Sequence, residues 1–351
     1  MFHTTRVQWM AVAMGMVSVA RAHAETPSPL PLPNPYHIDG TFHLVMPTGL
    51  KSLGSVSGVK VGPDKNVYVF HRCVQNTCAG QDNIPSILVY SQQGKFLKGM
   101  GAGLILWPHG LTPMPDSSLW LTDATAPTGV DKNSPGRGHQ VFHVDKNARV
   151  LLALGKAGVA GEGPDTFNAP SDTVIGRNGD LFVADGHGAG TNARIVKFDK
   201  NGKFIKAWGT RGAGPGQFEA PHSLAMDSQG RLFVADRPND RIQIFDQDGR
   251  FLLEWKQFGR PSGLFIDKND TLYVTDTQTT KGRTGFENGI YIGSAKSGKV
   301  TGFLPKIRPQ STWEGPGPDR TNMEAIGVAP DGSIFGGDAG LFTVVKFVKN
   351  R

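Results

Sequence analysis

The sequence predicts an all-β fold, a six-bladed β-propeller. Three observations predict it: a unit of roughly 40 to 50 residues recurs along the chain, each unit holds about four short apolar strands, and tight turns separate them. Glycine and proline, 46 and 24 of 351 residues, supply the turns, and the absence of a Gly-X-Y period excludes collagen. The clearest copies run from Ala169 to Gly209 and from Ala220 to Gly259. Leu181-Phe182-Val183-Ala184-Asp185 in the first answers Leu232-Phe233-Val234-Ala235-Asp236 in the second, and Arg194 to Asp199 answers Arg241 to Asp246. Weaker copies start near Val56, Pro108, Pro261 and Met323, which makes six. Six units must close into a ring, because an open stack would leave strand edges free to pair with other chains. Two three-bladed domains are excluded, since no linker divides the repeats. The last copy ends near Lys349 without an outer strand, so the apolar run Thr41 to Thr48 is expected to supply it and latch the ring.

Ahead of the repeats lie two segments with other roles. Residues 1–24 read as an export signal: His3 and Arg6 precede an apolar stretch from Trp9 to Ala20, and Ala22-His23-Ala24 fits a small-x-small cleavage site. The stretch is shorter than the roughly 20 residues of a membrane span. No stable membrane insertion is expected once it is removed, and the mature chain is expected to be secreted or periplasmic. Residues 25–40 are proline-rich and read as a spacer, and residues 41–351 as the propeller. Cys73 and Cys78, close together in an exported chain, are expected to form a local disulfide. The formal charge of +7 becomes 7 − 2 = +5 without Arg6 and Arg21, and no basic cluster is interleaved with aromatics, which argues against a nucleic-acid partner.

Aligning the repeats on their Asp turns exposes candidate site residues. Counting back fourteen positions from Asp123, Asp185, Asp236, Asp276 and Asp338, and from His71 in the first unit, reaches His109, Ser171, His222, Ser262, Glu324 and Ser57. Units two, four and six thus carry ligand-type residues, and the alternate units carry serine. In a six-fold ring such positions lie about 120° apart and converge on the axis if they head the innermost strands. His109, His222 and Glu324 are therefore expected to hold one divalent metal. Two imidazoles and a carboxylate suit Zn²⁺ with an open position, suit Fe²⁺ as a facial triad, and are also accepted by Mn²⁺ and Cu²⁺.

Local phrases sharpen the reading: Val69-Phe70-His71-Arg72, Trp107-Pro108-His109-Gly110-Leu111, Pro215 to Phe218 followed by Ala220-Pro221-His222-Ser223-Leu224, and Ala235-Asp236-Arg237. With the repeat itself, which resembles NHL-repeat propellers, they resemble the peptidyl-α-hydroxyglycine α-amidating lyases. Those are zinc-dependent propellers that cleave a hydroxyglycine-extended peptide to an amide and glyoxylate. The resemblance implies that His109 and His222 are two of three histidine ligands, that Arg72 is the essential arginine, and that Arg237 is a second arginine at the cavity. It also exposes departures. Glu324 stands where the third histidine belongs, Asn322 where the family has methionine, and His187, after Asp185-Gly186, where it has the active-site tyrosine. Ala325 replaces an acidic ligand of the family's structural calcium, so that ion is not expected here.

On this reading the protein is a metal-dependent lyase acting on a hydroxylated, carboxylate-bearing small molecule or peptide. Arg72 and Arg237 are expected to grip the carboxylate or a developing oxyanion, and His187 to move a proton. The same ligands would serve a hydrolase or an oxygenase. A binding platform without catalysis is the other class, presenting loops 124–138, 277–289 and 306–321 to a protein partner. His71, at an Asp position, is expected to cap a turn, and His139 and His143 to lie on the surface.

Overall fold

The computed structural model describes residues 31–74, 76–125, 136–277, 279, 286–306 and 322–351. The export segment, residues 25–30 of the proline-rich stretch and the greater part of the three partner loops lie outside the described residues. Each repeat folds as a four-stranded antiparallel sheet, giving six sheets. The innermost strands are Val56–Val61, Pro108–Pro113, Pro170–Ile175, Pro221–Met226, Pro261–Ile266 and Met323–Val328. Four of them open on proline, which a strand tolerates at its first residue because no ladder donor is needed there. The six touch one another in ring order, the last against the first.

Burial falls from axis to rim. The second strands, such as Leu119–Asp123 and Leu232–Asp236, are buried throughout, whereas outermost strands such as Val150–Leu154 are mostly exposed. Between each pair of neighbouring blades lies one apolar cluster. Blades three and four share Phe182, Ile195, Phe218 and Phe245, and blades six and one share Phe335, Val344, Val59 and Val69. Each fully buried side chain of this size contributes about 1.5–3 kcal/mol, so the ring is cemented at every blade boundary, closure included.

The recurrent Asp at the end of the second strand has a structural reason. Asp123 accepts the backbone N–H groups of Leu106 and Trp107 at 2.8 and 2.9 Å, tying the segment that enters the inner strand to its neighbour. Asp185, Asp236, Asp276 and Asp338 accept from Asn168, Glu219, Arg260 and Asn322 in the same way. His71 takes this place in blade one: its Nδ1 accepts from the Gly54 N–H at 3.2 Å while Nε2 faces the Pro85 carbonyl at 3.0 Å. Cys73 and Cys78 are bonded to each other just beyond it.

An N-terminal strand completes blade six, but it is Tyr36–Ile38, which pairs antiparallel with Thr343–Lys349, and not Thr41 to Thr48. The Asp39 side chain accepts the Thr41 N–H at 3.0 Å and turns the chain off the sheet edge, after which Phe42 packs edge-on against Phe335. Residues 41–48 cross to blade one, where the Val45 N–H meets the Gly94 carbonyl. The C-terminal part of the proline-rich stretch is likewise docked, the Pro33 carbonyl accepting the Phe303 N–H at 2.9 Å. No helix among the described residues is long and apolar enough to cross a membrane.

Candidate metal centre

Ser57, His109, Ser171, His222, Ser262 and Glu324 are each the second residue of an innermost strand. Their side chains form a belt running from blade to blade. Ser57 donates to the Pro108 carbonyl at 2.7 Å and Ser171 to the Pro221 carbonyl at 2.5 Å. Between these links, His109 Nδ1 lies 2.6 Å from the Ser171 carbonyl and His222 Nδ1 lies 2.9 Å from the Ser262 carbonyl. A carbonyl only accepts, so both Nδ1 atoms carry hydrogen and both Nε2 atoms present a lone pair. Adjacent strands approach closely enough for this because Gly110 follows His109: a Cβ there would come within 2.7 Å of the Ser171 carbonyl oxygen.

A third imidazole stands beside these two. His187 lies on the loop that leaves the second strand of blade three, Leu181–Asp185, at Gly186. Gly186 has φ +137°, and a Cβ there would collide with the Asn192 carbonyl, so only glycine makes the turn. Thr191 Oγ1 accepts the N–H groups of His187 and Gly188 at 3.1 Å each and fixes the loop. Ligand atoms of His109, His187 and His222 all lie within 4.8 Å of one another, with ring centroids 4.4 to 5.0 Å apart.

Glu324 lies outside this cluster. The expected pair of histidines is present, but the third imidazole comes from the blade-three loop and not from blade six. The Glu324 carboxylate faces Arg237 Nη1 at 3.3 Å and Arg72 Nη2 at 4.0 Å. Asn322 Nδ2 donates to its Oε1 at 3.3 Å. Arg72 is further held by the Pro108 carbonyl and Asn76, and its guanidinium stacks 3.4 Å from the centre of the Trp107 ring. Trp107 also contacts His109 and His187, so one indole joins the arginine wall to the imidazole cluster. Sequence reasoning quoted Trp107 without giving it a role, although its place two residues before His109 was the available signal.

Electrostatics agree with this division. Burial, then Arg72, bring the His109 imidazole down to about 3. Burial first, then the neighbouring imidazoles and Arg237, hold His187 and His222 well below the usual histidine range. All three are therefore neutral near pH 7, the state a metal ligand needs. Burial alone would raise the Glu324 carboxyl, but Arg72 and then Arg237 outweigh it and keep it ionised. Burial lowers Arg72 only to about 10, so it stays charged.

The donor set fits a divalent cation. Nε2 of His109, His187 and His222 is in each case buried without a hydrogen-bond partner. A buried polar atom left unsatisfied costs about 1–3 kcal/mol, and an ion bound by the three clustered rings would relieve that cost. The axial channel below the cluster is lined by Lys60, Asp172 and Ala325, and the Asp172 oxygens are engaged by Thr173 N–H, Ser223 Oγ and Leu224 N–H. Two other histidines expected at the surface are packed: His139 is buried and accepts the Ala169 N–H, and His143 stacks on Trp120 at 4.6 Å.

Comparison with known proteins places this geometry. Residues 172–283 match a family profile described as a 6-bladed beta-propeller. Peptidyl-glycine alpha-amidating monooxygenase B of Xenopus laevis is 32% identical over 338 residues, covering 85% of this chain and 34% of its own length. A probable peptidyl-alpha-hydroxyglycine alpha-amidating lyase of Caenorhabditis elegans is 32% identical over 307 residues, covering 81% of this chain and 80% of its own. The chain belongs to the peptidyl-α-hydroxyglycine α-amidating lyase family. It spans about a third of the monooxygenase-named relative and most of the lyase-named one. Among solved structures, a streptogramin B lyase (TM-score 0.53, 14% identity, 90% of this chain and 98% of that one) shares the fold. So does a gluconolactonase of Xanthomonas campestris (TM-score 0.55, 14% identity, 93% and 98%).

Proposed function

We propose that this member of the amidating-lyase family is an exported, metal-dependent lyase that cleaves the bond between an amide nitrogen and a hydroxylated carbon. The observation that carries the reading is the clustering of three imidazoles, each with a buried, unpartnered Nε2, in a family of lyases. His109, His187 and His222 would hold the ion, with Zn²⁺ the best match to three imidazoles and Fe²⁺, Mn²⁺ or Cu²⁺ the alternatives. When bound, such an ion supplies Lewis acidity to an oxygen of the substrate. Nδ1–H donation by His109 and His222 to backbone carbonyls would keep both rings in the liganding orientation. His187, given over to the ion, would no longer be the proton carrier.

The reaction needs no water. The carbon–nitrogen bond breaks, the hydroxyl carbon becomes a carbonyl, and the hydroxyl proton ends on the departing amide nitrogen. Arg72, Arg237 and Glu324 would form the wall that receives the end of the substrate beyond the hydroxylated carbon, whether small molecule or peptide. A carboxylate there would have to share both arginines with Glu324. Export is supported by the Cys73–Cys78 bond, which suits an oxidising secreted or periplasmic location.

Purified protein should release a 2-oxo product from N-acyl α-hydroxyglycine compounds, tried as free acid and as primary amide. A chelator should stop the release and Zn²⁺ restore it. Metal-loaded protein that turns over neither compound would overturn the reading.

A further inference from the structure

The wall beside the imidazole cluster holds four buried polar atoms without hydrogen-bond partners: Arg72 Nη2, Arg237 Nε, Glu324 Oε2 and Asn322 Oδ1. The first two only donate and Glu324 Oε2 only accepts; Asn322 Oδ1 accepts as its amide is oriented, with Nδ2 on Glu324. Arg72 Nη2 and Glu324 Oε2 face each other as an ion pair across 4.0 Å, too far for a hydrogen bond. Each such atom is destabilising unless something satisfies it, so the wall suits a group that both accepts and donates.

A carboxylate cannot do this. It offers acceptors alone, and set beside Glu324 Oε2 it would place two negative oxygens together out of water. The two arginines carry one charge more than Glu324 answers, which draws an anion toward the site from a distance. At contact the unpaired acceptor decides, because like charges in a water-poor site repel strongly. A primary carboxamide meets both demands: its oxygen accepts from the arginines and its NH₂ donates to Glu324.

We propose that Glu324 is the specificity-determining residue of the site and selects substrates whose hydroxylated carbon bears a neutral carboxamide where amidating lyases act on a carboxylate. The inference rests on the lyase reading for its reaction but not for its recognition. Bond accounting is as above: the carbon–nitrogen bond breaks, the hydroxyl proton goes to the leaving nitrogen, and the second product is a 2-oxo amide in place of a 2-oxo acid.

The test separates recognition from turnover by using compounds that cannot react. N-acylglycinamide and N-acylglycine of the same acyl group lack the hydroxyl, and their binding to metal-free and Zn²⁺-loaded protein is measured by calorimetry. The amide is expected to bind wild type at least about tenfold more tightly than the acid. In Glu324→Gln the acid should gain at least about tenfold while the amide loses, with thermal stability and metal content recorded alongside. Equal binding, tighter binding of the acid, or no binding of either compound by wild type would overturn the proposal. The amide preference without turnover of either hydroxylated compound would sink the lyase reading and leave the recognition intact.

Discussion

Two kinds of backbone bring the three imidazoles together. His109 and His222 stand on innermost strands, at one register position, with Nδ1 tied to the next blade. His187 stands on a loop whose shape depends on Gly186 and on the Thr191 hydroxyl. The strand pair inherits its geometry from the ring and cannot shift without moving blades. The loop histidine is held locally and can be gained or lost by one substitution.

The sharpest way to break this contrast is to remove one imidazole of each kind. His222→Ala should weaken metal binding by well over a hundredfold, more than the 10- to 100-fold typical of a lost supporting contact, and abolish activity. His187→Ala should do the same; a His187→Ala protein that keeps its metal within a few fold of wild type would reduce the loop to a mere wall. Equilibrium dialysis against Zn²⁺ measures both.

A finer probe is the loop support. Thr191→Val leaves the ring untouched but removes the acceptor of the His187 and Gly188 N–H groups. Metal affinity should fall about 10- to 100-fold while the melting temperature of the metal-free protein stays nearly constant. An equal fall in both would mean that the loop supports the fold and not the site.

The smallest effect concerns His71, which does a carboxylate's work in blade one. Burial lowers its pKa to about 4, below the unfolded value near 6.5. Between these values the unfolded chain binds the extra proton, so stability is complete above pH 6.5 and falls as pH drops toward 4. The loss should be about 1–3 kcal/mol by urea titration. A His71→Asn protein should lack this part of the pH dependence.

The repeat made most of the fold legible. Because five units place an Asp, and the first unit His71, where it must accept a backbone N–H group, counting from that residue found all six inner positions, including His109 and His222. The count could not find His187 as a ligand, since a loop of its own length carries no register. Glu324 was found at its position, but nothing in the spacing says that its carboxylate faces Arg237 at 3.3 Å and Arg72 at 4.0 Å. The latch strand was displaced because Pro33 and Pro35 argued for a spacer, whereas edge strands tolerate proline nearby and Tyr36 is buried.

Which side chain completes the proposed metal site with His109 and His222 is open to direct observation. Crystals of the Zn²⁺-loaded protein, measured at the zinc edge, locate the ion by its anomalous signal. The expected result is one ion at about 2.0–2.1 Å from Nε2 of His109, His187 and His222, with Glu324 still turned to its arginines. An ion shared by His109, His222 and the Glu324 carboxylate, with His187 swung away, would contradict it.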